Sequence, residues 1–465
     1  MRTSERAPVA IIGGGLAGLT AATILRSNNV PVVLFEAGPK LAGLATTFKD
    51  SDGFSYDFGA HFITNRLAAA IGVGAQCRDV RRYGETVLLK GRTYGYPLGL
   101  MRVPRFALSG VVAQAASIKR SNEPESAAEW FRMKYGRALA DEVALPLIEA
   151  WSGAPAAELA PTVGSSLPGS IGRTVTLKIA SYLTRRAVSC GYSREMPESP
   201  NVWHVYPEGG VGVLCQRLAR DIEDSIKLES PVEAVLVEDN RAVAVRVKGR
   251  EYEVSAVVST APANILAKLV KGTDALKEVA RFRYRPMVFV NMRFKGRGLL
   301  PDTVLWTPED RFPFFRLTET SLSMPWLAPV GKTLITVDIG CTVGDEIWSM
   351  PDEQLGEHCL ENLEPIIRDA RGRYMGCKVL RTPIAYPVFL NEYEEERQRF
   401  ELSSGVDGLY SVGRNGEFAH IFMEDVYWRT MKRTHQLMAS LEKQKMATAP
   451  ELTPEREQLV PVELF

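Results

Sequence analysis

The sequence predicts an α/β protein: a discontinuous dinucleotide-binding domain with a second, α+β domain inserted into it. Three observations predict this. Residues 9–25, VAIIGGGLAGLTAATIL, read as strand, glycine turn and helix, and the strand PVVLFEA that follows delivers Glu36. Two later stretches, residues 206–263 and 408–438, return to strand, glycine and helix patterns. Residues 66–200 and 282–403 between these segments have a different texture, the first rich in Ala, Leu and Arg, the second mixing apolar strands with helix.

The opening unit carries the chemistry of a phosphate cradle. Gly13 permits the tight turn, Gly15 lets backbone approach a pyrophosphate, and Gly18 packs helix on strand. Leu16 and Ala17 begin a helix whose N-terminus presents unpaired N–H groups and partial positive charge to the phosphates. Glu36, at the end of the second strand, can accept hydrogen bonds from a ribose diol. A nicotinamide enzyme would next repeat strand–helix units. This chain instead reads AGPKLAGLATTF over residues 37–48 and GFSYDFGAHFI over residues 53–63.

These segments resemble the flavin-binding half of the FAD-dependent amine oxidase superfamily, which includes protoporphyrinogen oxidases, phytoene desaturases and UDP-galactopyranose mutases. There the acidic residue is followed by a basic residue, a glycine-pair turn closed by threonine, and a D-x-G-x-H segment. Ala37, Lys40, Gly43, Leu44, Thr46, Asp57, Gly59 and His61 occupy that stretch. Ala42 replaces the first glycine of the pair and should fit, and Leu44 stands where many oxidases carry arginine. Residues 206–222 are similar to the family's P-x-GG-x-x-x-L turn and helix. Residues 227–263 follow as a three-stranded crossover with a turn at Asp239–Asn240, and Val232 lies where the family meets the adenine. Near the end, GLYSVGRNGEFAHIFMED leads from a strand through Gly413 and Arg414 to a helix opening on Met423, Glu424 and Asp425, the acid-first order a helix dipole favours. The resemblance implies that this helix N-terminus faces the flavin pyrimidine. It implies a Rossmann-like FAD-binding domain over residues 1–65, 201–281 and 404–443, a helical cap over 66–200 and a mixed sheet over 282–403, with a flexible tail from 444.

Bulk properties set limits. With 465 residues, 45% hydrophobic and 24% charged, the chain can bury a large core and form two domains. A net charge of +1 gives no reason to expect nucleic acid. The start runs directly into the nucleotide strand without a signal peptide, and no uncharged apolar stretch reaches the roughly 20 residues of a spanning helix, so a cytoplasmic protein is expected. Cys77, Cys190, Cys215, Cys341, Cys359 and Cys377 are scattered without metal spacing and read as reduced thiols. None lies in the C-terminal flavin loop, so the FAD is expected to be non-covalent, and no metal is expected.

In this class the flavin carries the reaction while protein groups position the substrate. The resemblance places His61 beside the flavin; the alternative is a histidine that only bonds backbone. It likewise places Arg414 at the active site, against a surface arginine. Arg316, ending an aromatic strand, can meet an anionic group of a small-molecule substrate. Two functions are open: an oxidoreductase removing hydride from an apolar or polycyclic substrate, and a redox-neutral mutase acting on a nucleotide sugar. GRTYGYPLGL, EAWSG and AYPVFLNEY resemble the mutases, but Phe418 and His420 replace the two tyrosines that bind the mutase diphosphate. ALPLIEAWSGAPAAELAP resembles the protoporphyrinogen oxidase branch, and the oxidoreductase is favoured. No acidic residue lies between Glu85 and Glu123 or between Glu158 and Glu195. Apolar residues mixed with Lys90, Arg92, Arg102, Arg105, Lys119, Arg120, Arg173, Lys178, Arg185, Arg186 and Arg194 therefore suggest contact with a membrane surface, against the alternative of solvated helix faces.

Overall fold

In the computed structural model the described residues are 7–59, 61–117, 123–165 and 171–448. The chain is built round a five-stranded parallel sheet in the order β3 (Ile226–Lys227), β2 (Val32–Phe35), β1 (Val9–Ile12), β4 (Ala256–Ser259), β5 (Leu409–Ser411). Helix α1 (Leu16–Ser27) crosses from β1 to β2. The continuous apolar runs of β1 and β2 follow from burial on both faces. Because side chains alternate along a strand, Val9, Ile11, Val32 and Leu34 enter one core with α1 and the long helix α2 (Met423–Thr448), whereas Ala10, Ile12, Val33 and Phe35 enter another.

That second core is shared with a four-stranded sheet that includes Val232–Glu238 and Arg241–Val247. Asp239 and Asn240, both at positive φ (46° and 60°), make the tight turn between these strands, the geometry a two-residue hairpin demands.

A seven-stranded mixed sheet holds the strands Tyr284–Lys295, Val304–Trp306, Arg316–Glu319, Lys332–Gly340 and Tyr374–Pro387. It also takes in the hairpin Glu85–Leu89 and Arg92–Gly95, joined by parallel pairing of Glu85–Leu89 with Val304–Trp306. Residues 66–200 are therefore not mostly helical throughout. Their helices include Pro104–Ser117, Ala127–Tyr135, Leu145–Ser152 and Ile171–Thr184, and these dominate the composition that hid the hairpin. All six cysteines are free thiols. Among the described residues no helix is long and apolar enough to cross a membrane. Of the tail expected from 444, α2 takes residues up to Thr448 and the remainder lies outside the described residues, as do Lys119 and Arg120.

Candidate active site

The nucleotide end is shaped by what its glycines exclude. Gly13 sits at φ +98°, and a β-carbon there would lie 2.2 Å from Thr260 Oγ1. At Gly18 a β-carbon would meet the Gly13 carbonyl oxygen at 2.0 Å, so glycine is what lets α1 lie against the turn. Gly15 differs: the nearest atom to a β-carbon would be the Ala42 carbonyl oxygen at 3.9 Å. The protein thus leaves open space at the mouth of α1, whose N-cap is Gly15 with no side-chain cap and no acid in its first turn. Leu16 and Ala17 are buried in that turn. Uncapped N–H groups facing a cradle with room for phosphate fit a dinucleotide.

Glu36 completes the cradle. Its carboxylate accepts from Gly14 N and Gly38 N, each at 2.7 Å, leaving about two of its roughly four lone-pair positions for a ribose diol. Its backbone carbonyl accepts from Ser230 N at 2.8 Å, which places Val232 two residues from the same strand end. Ala37 and Lys40 are exposed. Glu36→Ala should weaken FAD binding ten- to a hundredfold, through loss of charge-assisted hydrogen bonds worth about 1.5–3 kcal/mol. Glu36→Gln, which keeps an acceptor oxygen, should lose less. Fluorescence titration of apoprotein with FAD measures both, and an unchanged affinity in Glu36→Ala would make Glu36 only a strand-end acid.

The turn that follows docks on the cradle through Ala42 N to Gly14 O, 2.9 Å. Ala42 has φ +88°, a left-handed backbone that alanine adopts at a cost; it fits the space but not the conformation. Gly43 is also left-handed, and Leu44 beside it is half-buried. Ala42→Gly should stabilise the protein by about 1 kcal/mol, the relief of strain exceeding glycine's entropy. Urea unfolding of both proteins checks this, and a lower midpoint in the variant would refute it. Thr46 donates only to its own turn, to Gly43 O at 2.7 Å. The neighbouring Thr47, which sequence reasoning passed over, donates to Asp57 Oδ1 at 2.7 Å, and the Tyr206 hydroxyl donates to Asp57 Oδ2 at the same distance. Burial and then the Asp57 charge push the Tyr206 phenol well up, so it remains a donor.

The C-terminal segment closes the cleft from the other side. Gly413, at φ +85°, approaches so closely that a β-carbon would lie 2.9 Å from the Ala17 Cβ. Met423 is buried at the start of α2. Glu424 and Asp425 hold the protein's own chain: Glu424 pairs with Arg66 at 2.6 Å, and Asp425 accepts from Ser193 Oγ at 2.5 Å and Arg194 N at 3.0 Å. The second Glu424 oxygen, Oε2, is buried without a partner among the described residues.

Beyond the cleft lies an aromatic chamber. Trp151 packs against Tyr386 and His420 with centroids 5.2 and 4.8 Å apart, and Tyr192 stacks on Phe422 at 4.6 Å. Two guanidinium groups enter it. Arg316 lies over Trp306 at 5.5 Å and is held by fully buried Asp338, to which its Nε donates at 2.8 Å. Burial alone would lower the Arg316 pKa; the Asp338 carboxylate outweighs it and holds the guanidinium above its ordinary value. Arg414 lies over Tyr386 at 5.6 Å and donates to Ile421 O at 2.9 Å. Gly59, at φ +80°, lies against the Phe289 ring, where a β-carbon would come to 3.1 Å, while Arg316 Nη2 would be at ordinary contact distance, 3.6 Å. His61 Nδ1 lies 3.7 Å from Asp57 Oδ2 and has no hydrogen-bond partner among the described residues. The tertiary structure therefore brings Arg316 and Arg414 to one chamber, with His61 on the segment that frames it.

His420 is held neutral. Burial, then Arg414, Arg194 and Arg316, bring its pKa down to about 3. Phe418, paired with it in the sequence comparison with the mutases, is instead fully buried among Phe282, Tyr284 and Phe389 and belongs to the core. Trp151, Tyr386 and Asp338 carried no recognisable signal of their own; the first two lie in EAWSG and AYPVFLNEY, noted only for family likeness.

His204, on the far side of Tyr192 among Phe62 and Tyr83, is buried, and that burial brings its pKa down to about 4 against a backbone hydrogen bond at Ile63. Below its ordinary pKa of about 6.5 the unfolded chain binds a proton that the fold refuses, so stability should fall as pH drops from about 6.5 towards 4, by about 1.4 kcal/mol per pH unit from this group. His204→Phe should remove that part of the slope in urea unfolding across this window. An identical slope in the variant would remove His204 from the account.

The glycine cradle with Glu36, together with the chamber of aromatic and guanidinium groups, fits an FAD-dependent oxidoreductase, and the family match gives that class. The chain belongs to the flavin containing amine oxidoreductase family, which matches residues 16–425. It is 23% identical over 461 residues to coproporphyrinogen III oxidase of Bacillus subtilis (strain 168), covering 88% of this chain and 93% of that one. With the lycopene-forming phytoene desaturase of Pantoea ananas it shares 24% identity over 55% of each protein. Its fold is similar to that of reduced UDP-galactopyranose mutase (TM-score 0.75, 18% identity, 96% of this chain and 97% of that one). It is also similar to cyclohexylamine oxidase of Brevibacterium oxydans IH-35A (TM-score 0.66, 15% identity, 94% and 100%).

Proposed function

We propose that the protein removes hydride from an apolar cyclic substrate that carries anionic groups. The observation that carries this reading is the union of aromatic walls with Arg316 and Arg414 in one chamber: flat apolar faces to stack a ring, and fixed positive charge to hold its acidic substituents. Bound FAD supplies the hydride acceptor at N5 of its ring. The cradle of Gly13, Gly15, Gly18 and Glu36 would hold the pyrophosphate and ribose. His61, Val232, Gly413 and the start of α2 would line the rest of the cofactor.

The chain's own residues then bind and orient. Arg316 is aimed by Asp338 and Arg414 by the Ile421 carbonyl, so both present charge in set directions. His420, kept neutral, adds an aromatic edge without competing for the substrate's anions. His61, with Nδ1 turned to the Asp57 carboxylate 3.7 Å away, is placed to take, on its other ring nitrogen, the proton left when hydride departs. Similarity along 93% of a coproporphyrinogen III oxidase supports a substrate of porphyrinogen type.

The test is anaerobic mixing of the oxidised holoenzyme with coproporphyrinogen III, with protoporphyrinogen and with UDP-galactopyranose. Bleaching of the flavin by a porphyrinogen is the expected result. No bleaching, together with turnover of the nucleotide sugar only after reduction of the flavin, would replace this reading with the mutase.

A further inference from the structure

We propose that the outer face of the helix Ile171–Thr184, with the short helix Leu98–Met101 beside it, docks on an anionic lipid bilayer. The helix has two apolar faces where a soluble helix needs one. Thr174 and Leu177 point inward and are buried. Ile179, Tyr182 and Leu183, spaced to form a single stripe, are 55%, 84% and 74% exposed. Lys178 on this helix donates to Tyr96 O at 2.8 Å, which sets Leu98 and Met101, also exposed, alongside. The helix that follows, Pro104–Ser117, bares Leu108, Val111 and Val112 in the same i, i+3, i+4 pattern.

Charge selects the occupant. Arg81, Arg102, Lys178 and Arg185 are exposed and have no carboxylate partner among the described residues. Arg81 follows Val80, whose carbonyl accepts from Ala187 N, so it lies with Arg185 at the helix C-terminus. Other basic residues of the region are neutralised by the protein, Arg105 by Glu142, Arg173 by Glu198 and Arg186 by Asp79. Apolar side chains ringed by unneutralised cations suit the boundary between lipid headgroups and acyl chains. A second copy of this chain, meeting the same patch about a two-fold axis, would oppose Lys178 and Arg185 to their own equivalents.

The stripe is also tied to the chamber. From its C-terminus the chain runs through Val188 to Tyr192, which stacks on Phe422, and to Ser193 and Arg194, which are fastened to Asp425. A bilayer touching this helix would sit close to a wall of the site, a route for an apolar substrate. That route rests on the proposed function; the docking does not.

The experiment is co-sedimentation of the holoenzyme with vesicles of phosphatidylcholine alone and of phosphatidylcholine with phosphatidylglycerol, at low and high salt. The parent is compared with Tyr182→Ser/Leu183→Ser and with Arg81→Gln/Arg185→Gln, exposed positions outside the core. The expected result is binding to the anionic vesicles at low salt, weakened by salt. Each double variant should lose about tenfold or more in partitioning while keeping its flavin absorbance. Absence of binding to anionic vesicles, or equal partitioning of parent and variants, would overturn the proposal. So would a dimer in size-exclusion chromatography that Tyr182→Ser/Leu183→Ser converts to monomer, which would give the stripe to a second copy. Turnover enters none of these readouts, so failure of the proposed reaction would leave the outcome unaffected.

Discussion

Gly15→Ala is expected to fold normally and to bind FAD on the order of a hundredfold more weakly, whereas Gly18→Ala is expected not to reach the native state at all. The two glycines are three residues apart, and the difference lies in what a methyl group would meet. At Gly18 it would sit 2.0 Å from the Gly13 carbonyl oxygen, a backbone atom fixed by β1 and its turn, so α1 would have to leave the sheet. At Gly15 the backbone is extended (φ −80°), a conformation open to alanine, and the nearest protein atom would be 3.9 Å away. The methyl would occupy only the space left for the pyrophosphate. Far-ultraviolet circular dichroism and FAD titration separate the two effects. A Gly15→Ala protein that purifies fully yellow would show that the phosphates do not lie where the cradle places them.

Arg316→Met is expected to destabilise the fold by about 3–5 kcal/mol, because it strands the Asp338 carboxylate in the interior. Asp338 is fully buried, its Oδ2 accepts from Arg316, and its Oδ1 has no partner among the described residues. Burial raises the Asp338 pKa and the arginine opposes the rise. Without Arg316 the folded-state pKa climbs further above the unfolded value of about 3.9, so the deficit should be small in acid and grow as pH rises through and above that value. Adding Asp338→Leu should recover much of the stability, since two apolar groups replace an ion pair, but not the grip on an anionic substrate. KM should remain raised ten- to a hundredfold, the loss of about 1.5–3 kcal/mol for a charged hydrogen bond. Urea unfolding against pH, with steady-state kinetics, checks both halves. Full recovery of KM in the double variant would make the pair purely structural.

How far the sequence could be read depended on whether a feature is local. The order of β1, the glycine turn, α1, β2 and Glu36 is short-range, each residue type required by the conformation at its own position, and it was legible. So was the Asp239–Asn240 turn, since two residues at positive φ leave few choices. The hairpin 85–95 is as local, with Lys90 and Gly91 at positive φ (51° and 74°) in its turn, but it was passed over among helix-rich surroundings; its place in the seven-stranded sheet was not legible, because Val304–Trp306 lies more than two hundred residues away. Thr46 drew attention where its neighbour Thr47 makes the bond to Asp57, a difference of one residue that only side-chain direction settles. The same holds for Phe418 and His420, two apart in sequence, one in the core and one in the chamber.

A dinucleotide site can be read from the first fifty residues alone, because Gly13, Gly15 and Gly18 and the acid Glu36 meet steric and hydrogen-bonding demands that arise within a single βαβ unit. The chamber has no such local record. Trp151, Arg316, Tyr386 and Arg414 come from separate elements, and no spacing along the chain records that they meet. The physical reason is the range of the forces: backbone conformation is written within a few residues, while a binding site is made by side chains that packing brings together from the whole length of the chain.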